Sequence, residues 1–242
     1  MTIIIPIAGE SHFIDSDYYY PKPLIDINDK PLIQYVIESL NLIENNIKFC
    51  FVLLESICNE FNLDKTLLQI VPTCTIVKLK SKTKGSLCSV LMTTGVISVD
   101  EEIIIANSDQ VFKNSLSGIV LNFRNDNLDA GIITFESVHP RWSFAIIDNK
   151  NNVLETAEKR AISKNAIAGI YYFKNFKIFL LGAFDSVLNE DYYNDQIYIS
   201  SSINQLILKN KKIKSHKIKN DDFISFYTPQ KINEFERFIN GK

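Results

Sequence analysis

A chain of 242 residues with 46% hydrophobic and 22% charged residues has the make-up of a folded globular protein and excludes a disordered one. At that length roughly 70–75% of the unfolded chain's surface is buried on folding, so a core forms without disulfides or a structural metal. Its 26 basic and 28 acidic residues leave a formal charge of -2. That excludes nucleic-acid binding through bulk positive charge and leaves only a local cluster to meet a small anion.

The run Ile3-Ile4-Ile5-Pro6-Ile7 is continuously apolar, as a parallel strand covered on both faces must be. Pro31 to Leu42 places Leu32, Ile33, Val36, Ile37 and Leu40 at helical spacing, with Pro31 suited to the first turn. A second buried strand is expected at Lys48–Leu54, a helix at Asn59–Leu68 and a third strand at Thr75–Leu79. A helix from about Ser86 to Thr94 and a fourth strand at Glu102–Ala106 follow. This alternation predicts a mostly parallel α/β sheet with helices on both faces. Beyond residue 130 the pattern changes. Ala130–Phe135 and Ala166–Phe173 read as strands, and Phe144–Asp148 with Val153–Thr156 as a hairpin around Asn149–Asn152. Helices are expected at Ile199–Lys209 and Pro229–Ile239. No low-complexity linker or repeat interrupts the chain, so one domain over residues 1–242 is expected.

Cys50, Cys58, Cys74 and Cys88 show no CxxC spacing and lie in apolar runs, which reads as buried reduced thiols. The apolar start has no basic segment before it and is too short for a secretory signal. The longest uncharged run, Gly85–Val99, falls short of the ~20 residues a membrane helix needs. A cytoplasmic location without a membrane partner is the expectation.

Ligands of open α/β sheets lie beyond the carboxyl ends of the strands, so three strand exits are read as one rim. The first is Ala8-Gly9-Glu10-Ser11-His12, continuing to Tyr20-Pro21-Lys22-Pro23. Gly9 permits close backbone approach, and N–H groups there can receive a phosphate. The two prolines restrict the backbone around Lys22, which suits a point charge held against phosphate; an ordinary turn lysine fits the local sequence equally well. The third strand leaves through Thr83-Lys84-Gly85-Ser86, where a Gly-Ser step can lie against a flat base or simply start a helix. The fourth ends at Asn107-Ser108-Asp109, whose carboxylate can share one Mg²⁺ with phosphate oxygens or merely cap a turn.

Taken in order, Ile4-x-Pro6-x-Ala8-Gly9-Glu10, Tyr20-Pro21-Lys22-Pro23-Leu24-Ile25, Asp29-Lys30-Pro31-Leu32-Ile33, Lys84-Gly85-Ser86-Leu87, Asn107-Ser108-Asp109, Glu158-Lys159 and Ala168-Gly169-Ile170-Tyr171-Tyr172-Phe173 resemble the bacterial sugar-phosphate nucleotidyltransferases over nearly the whole chain. The resemblance implies a Rossmann-like, three-layer α/β fold of nucleotide-diphospho-sugar transferase type. Its nucleotide-binding half would be 1–125 and its acceptor-binding half 126–242. It implies an enzyme that joins an NTP to a phosphorylated small molecule and releases pyrophosphate, with Mg²⁺ as cofactor. Ala8, Gly9, Glu10 and Ser11 would cradle the triphosphate, Lys22 would touch the α-phosphate, and Asn107, Ser108 and the metal ligand Asp109 would complete that end. Thr83, Lys84, Gly85 and Ser86 would meet the base. Glu158 and Lys159 would face the acceptor, Lys159 pairing with its phosphate, and Trp142, Ser143 and Gly169 would border the acceptor pocket. The nucleophile of such a reaction is already an anionic phosphate oxygen, so the work is to align two repelling anions rather than to build a general base.

The short form and the tail Tyr198-Ile199-Ser200-Ser201-Ser202-Ile203-Asn204 are similar to capsule-locus enzymes, the CTP:phosphoglutamine cytidylyltransferases, which makes CTP the expected nucleotide. Two positions depart from the family's pattern. His12 stands where an arginine is expected, with Lys84 or Lys82 as replacements. Ser225 stands where an aspartate is expected four residues before Pro229, with Asp221 or Asp222 as a substitute second metal ligand. The sequence leaves a homodimer open.

Overall fold

Three isoleucines in succession have nowhere to go but between two apolar layers, and Ile3, Ile4 and Ile5 are each 0% exposed in β1 (Thr2–Ile7). The computed structural model describes residues 1–9 and 19–241. After β1 come the two-residue strands β2 (Asp26–Ile27) and β3 (Lys30–Pro31), α1 (Leu32–Asn41), β4 (Lys48–Leu54), α2 (Glu55–Phe61), α3 (Leu63–Ile70), β5 (Thr75–Leu79), α4 (Ser86–Leu91), β6 (Ile103–Ala106) and β7 (Gln110–Phe112). The second half adds α5 (Ser117–Asn125), β8 (Ala130–Glu136), β9 (Phe144–Ile147), β10 (Val153–Ala157), β11 (Asn165–Phe173), α6 (Phe176–Leu188), α7 (Ile199–Leu208), β12 (Ile213–Lys217), β13 (Phe223–Ser225) and α8 (Pro229–Asn240).

Among the described residues, one sheet of nine strands carries both halves. In it β1 pairs in parallel with β4 and β6, and β4 in parallel with β5, as the alternating first half predicts. The second half enters antiparallel through β11, which pairs with β6, β8 and β9. Strand alternation sends Ile3 and Ile5 into one apolar layer with α1, α3, α5 and α8. Ile4 goes into the other, with α4, α6 and α7.

Two expected helices are corrected. The stretch Asn59–Leu68 is not one helix but the end of α2 and most of α3, broken at Asn62, whose φ of 54° is left-handed. Asparagine adopts that conformation readily, so the chain turns there at little cost. The helix expected to reach Thr94 ends at Leu91. There the hydroxyls of Thr93 and Thr94 donate to the carbonyls of Val90 and Leu91, and such back-bonding competes with the helical ladder. All four cysteines are free; Cys50 and Cys58 are buried as expected, whereas Cys74 and Cys88 are half-buried.

The edge of the sheet away from the strand exits is held by charge. Arg124 of α5 donates through Nε to Glu102 at 2.8 Å and through Nη2 to Glu102 and Glu44, each at 2.6 Å, while the Tyr172 hydroxyl donates to Glu102 at 2.7 Å. Burial alone would raise the Glu102 carboxyl, but Arg124 and Tyr172 outweigh it and hold it below the usual value of 4.5. A depressed carboxylate stabilises the fold above its unfolded value, and that contribution disappears as pH falls through the folded one. Arg124→Ala is therefore expected to lose about 1–2 kcal/mol at pH 7 and to show a shallower loss of stability below pH ~4.5, measured by urea unfolding as a function of pH.

Candidate active site

The cleft begins where hydrogen bonding stops. The β1–β6 ladder runs from Thr2–Ile103 to Ile4–Ile105, and β1 then continues through Pro6 and Ile7 against β4 alone. Proline has no N–H to give, so Pro6 presents no unpaired donor to the gap beyond Ile105. A recess of about 150 Å³ fills this gap, with Gly9, Lys22, Ser86, Asn107, Ser108 and Asp109 on its walls.

Lys22 opens a single 3-10 turn, Lys22–Leu24, set by Pro21 at φ -60° and closed by the Leu24 N–H donating to the Pro21 carbonyl at 2.8 Å. From there its Nζ donates to Asp109 Oδ2 at 3.1 Å. Only 19% of the Lys22 side chain and 25% of that of Asp109 are exposed, so the ammonium and the carboxylate meet in a partly desolvated recess. Charges there act on a ligand more strongly than they would in open water.

A second cavity of about 330 Å³ shares Ser86, Asn107 and Asp109 with the recess, so the two spaces adjoin. It lies where β11 exchanges neighbours: Ile170–Phe173 pair with β6, whereas Ala166 pairs with Phe144 of β9. The exchange occurs at Gly169, within a bulge between Ile167 and Tyr171, at φ +63°. Its carbonyl accepts from the Asn107 N–H at 3.0 Å, tying β11 to the exit of β6.

The far wall of the cavity carries the Glu158–Lys159 pair. Ser143 and Ser200 donate hydroxyl hydrogen bonds to Glu158 Oε2, but burial prevails and raises its carboxyl above the ordinary range. Lys159 has φ +50° and donates through Nζ to the Tyr198 hydroxyl at 3.0 Å, with Nζ 5.0 Å from the Tyr198 ring centroid and 5.7 Å from that of Tyr193. Burial pulls the Lys159 ammonium down, yet the Tyr198 hydroxyl and Glu158 outweigh it, and the net direction is upward. Lys159 therefore stays charged at neutral pH. Trp142 lines the cavity and also packs edge-on against Phe135 at 5.1 Å between centroids, so it is at once wall and core.

The other candidates divide. Ala8 is buried beneath the rim, and Gly9 lies on it. Glu10, Ser11 and His12 fall outside the described residues. Thr83 donates its hydroxyl to the Gly85 carbonyl at 3.0 Å and lies 2.7 Å from Ser89 Oγ; it shapes the turn and lines neither space. Lys84 holds its Nζ 5.3 Å over the Tyr192 ring and lines neither space. Gly85, at φ +104°, rests on the backbone of Ile197. Ser225 stands beside Gln110 in the β13–β7 register and lines the cavity, and the next N–H, of Phe226, donates to the Asp109 carbonyl at 2.9 Å. Asp221 and Asp222 precede the opposite end of β13, and Asp222 is occupied by the Lys219 N–H and Asn114; neither carboxylate reaches the Asp109 recess. Sequence reading missed Gln110, Tyr171 and Ser200. Tyr171 sits inside a strand that read simply as core, Gln110 opens the three-residue strand β7 that no pattern marked, and Ser200 meets Glu158 across 42 residues of chain.

Residues 18–221 match the nucleotidyl transferase family. The chain is 33% identical over 167 residues to the bifunctional protein GlmU of Methanococcus aeolicus, covering 66% of this chain and 36% of that protein. It spans about a third of the length of the curated relatives it matches. Among solved structures it resembles the nucleoside-diphosphate-sugar pyrophosphorylase from Vibrio cholerae RC9, with a TM-score of 0.84 and 21% identity over 98% of this chain and 100% of the other. The inositol-1-phosphate CTP transferase from T. maritima matches with a TM-score of 0.76 and 14% identity over 99% and 94% of the two chains. The fold is thus the mixed, largely parallel α/β sheet flanked by helices of the nucleotide-diphospho-sugar transferase type. With a match that runs through both the Lys22–Asp109 recess and the Glu158–Lys159 wall, the chain belongs to the nucleotidyl transferase family.

Proposed function

We infer that the protein transfers a nucleotidyl group from an NTP to the phosphate of a small acceptor and releases pyrophosphate. Residues 1–125 hold the nucleotide and 126–242 the acceptor. The observation that carries this reading is the adjacency of the two spaces, with Lys22 and Asp109 paired in the recess and Lys159 lining the cavity that shares Asp109 with it. In the reaction an acceptor phosphate oxygen attacks the α-phosphorus, forming one P–O bond while the bond to pyrophosphate breaks. Lys159 holds the acceptor phosphate against its own repulsion from the triphosphate, and Lys22 exchanges its Asp109 partner for phosphate oxygens as charge builds at the reacting centre.

The Asp109 carboxylate, flanked by Asn107 and Ser108, is a hard oxygen donor set that fits Mg²⁺, which binds through one or two carboxylates together with phosphates and water. When bound there, it would supply neutralisation of phosphate charge. CTP is the nucleotide favoured by the likeness of the opening and tail to capsule-locus cytidylyltransferases, and the neighbour named as an inositol-1-phosphate CTP transferase supports the same base. Within that class the specific reading is a CTP:phosphoglutamine cytidylyltransferase of capsule biosynthesis, acting in the cytoplasm where NTPs are made.

Pyrophosphate release measured with four NTPs against phosphoglutamine, inositol 1-phosphate, sugar 1-phosphates and phosphocholine, with Mg²⁺, tests all of this. CTP with one of these acceptors is expected to turn over. Turnover with another NTP corrects the base alone, and no turnover with any pair ends the transfer reading.

A further inference from the structure

Four charged residues line the cavity that adjoins the recess: Asp109, Glu158, Lys159 and Arg141. Asp109 is paired with Lys22, Glu158 accepts from the hydroxyls of Ser143 and Ser200, and Lys159 is the cation for the acceptor phosphate. Arg141 has no such task. It also lines a neighbouring cavity of about 510 Å³, but none of the carboxylates there pairs with it: Glu136 is held by Lys217 at 3.3 Å, Glu234 by Lys231 at 2.5 Å, and Asp221 makes no salt bridge with it. The guanidinium is nevertheless kept in one place. It lies over the Tyr227 ring with Cζ 3.6 Å from the centroid, and its Nε donates to His139 Nδ1 at 3.0 Å. The backbone N–H of Arg141 donates to the same nitrogen at 3.3 Å, so one imidazole seats both main chain and side chain. These contacts leave the two terminal nitrogens without a hydrogen-bond partner among the described residues. Together those nitrogens form a planar fork that fits a carboxylate through two parallel bonds. A long cation fixed in advance loses little freedom when its partner arrives. The Lys159 N–H donates to the Trp142 carbonyl at 3.1 Å, so the segment carrying Arg141 runs directly beside the one carrying Lys159.

Resting on the transfer reading above, we propose that the acceptor is a phosphorylated carboxylic acid and that Arg141 selects it by its carboxylate. Lys159 holds the phosphate, an apolar stem lies along Trp142, and the carboxylate meets the terminal nitrogens of Arg141. A carboxylate adds less repulsion beside the triphosphate than a second phosphate would, and its plane matches that of the fork. Asp109 and Glu158 do not compete for Arg141, since Lys22 occupies the one and two serine hydroxyls the other. An acceptor uncharged at this end leaves a half-buried guanidinium without a counter-ion, and the site rejects it for that reason.

Titration tests this without turnover. The probes are phosphonoacetate, phosphonopropionate and phosphonobutyrate, each beside the methyl ester of its carboxyl group. Trp142, the only tryptophan of the chain, lines the cavity, so its fluorescence follows binding. At one stem length or more the wild type is expected to bind the acid at least about tenfold more tightly than the ester. In Arg141→Gln that ratio falls to near one while the ester binds as in the wild type, an outcome that a merely loosened cavity would not give. Arg141→Lys, which keeps the charge and loses the fork, recovers only part of the ratio. Lys159→Ala is expected to weaken acid and ester alike, because both keep the phosphonate. Equal binding of acid and ester at every length, a ratio that survives in Arg141→Gln, or no binding of any probe overturns the proposal. Selective binding with no pyrophosphate release from any NTP ends the transfer reading and leaves this assignment standing, and pyrophosphate release with equal binding of acid and ester does the reverse.

Discussion

Lys22→Ala loses at least ~100-fold in kcat while melting within a few degrees of the wild type. The side chain leaves a 3-10 turn already fixed by Pro21 and Pro23, and it pairs with Asp109 at 3.1 Å. Removing it leaves Asp109 with solvent on 25% of its side chain, so the fold has no stranded buried charge to accommodate. The reaction suffers much more, because two anions must then be brought together without the ammonium between them. Asp109→Ala should lose a comparable factor, and the double variant should be far less damaged than the product of the two, because in the proposed reaction both groups serve one cluster of phosphates. Steady-state pyrophosphate release, alongside thermal melts of all three variants, measures this. Wild-type turnover in Lys22→Ala would remove the recess from the mechanism.

The largest effect on stability is expected at Gly85→Ala. The backbone there, φ 104° and ψ 174°, lies in a region that is essentially glycine's alone. An added Cβ would stand 2.3 Å from the Ile197 carbonyl oxygen and 2.7 Å from the Ile197 nitrogen, both backbone atoms that cannot swing aside. The same segment is laced to Ile197 by two hydrogen bonds, Ile197 N–H to the Lys84 carbonyl at 2.8 Å and Leu87 N–H to the Ile197 carbonyl at 3.2 Å. Strain of about 1–3 kcal/mol and an overlap of about 1–3 kcal/mol act together, for a fall in Tm of roughly 10 °C. Differential scanning calorimetry decides it. A melt within 2 °C of the wild type would mean that the contact with Ile197 is not maintained in solution.

Much of this architecture is written in local pattern, and the parts that are not have identifiable reasons. Continuous apolar runs of strand length read as interior strands, which is why β1, β4 and β6 were legible, and the exits of β1 and β6 led directly to Lys22 and Asp109. Helix α6, Phe-Lys-Ile-Phe-Leu-Leu-Gly-Ala-Phe-Asp-Ser-Val-Leu, escaped because apolar residues surround it and blur the 3.6-residue period. β12, Ile-Lys-Ser-His-Lys, carries too little apolar character to announce a strand, and only its parallel pairing with β8 makes it one. Gly85 was read as a contact for the base, whereas its conformation answers first to the backbone of Ile197. That Gln110 and Tyr171 line the cavity was beyond reach because it depends on where β11 changes partners, and no local window contains that information.

The antiparallel seam between β6 and β11 has a mechanical consequence. Four residues of β11, Ile170–Phe173, pair with β6 and so join the strands of the second half to those of the first. A cut between residues 125 and 126 would leave each piece with a raw strand edge and an opened apolar layer, so neither piece is a viable fragment. The two halves cannot swing apart as jaws, and melting should proceed as one cooperative unit. Substrates must be admitted by side chains and loops at the mouth of the cleft, on a bench that itself stays rigid.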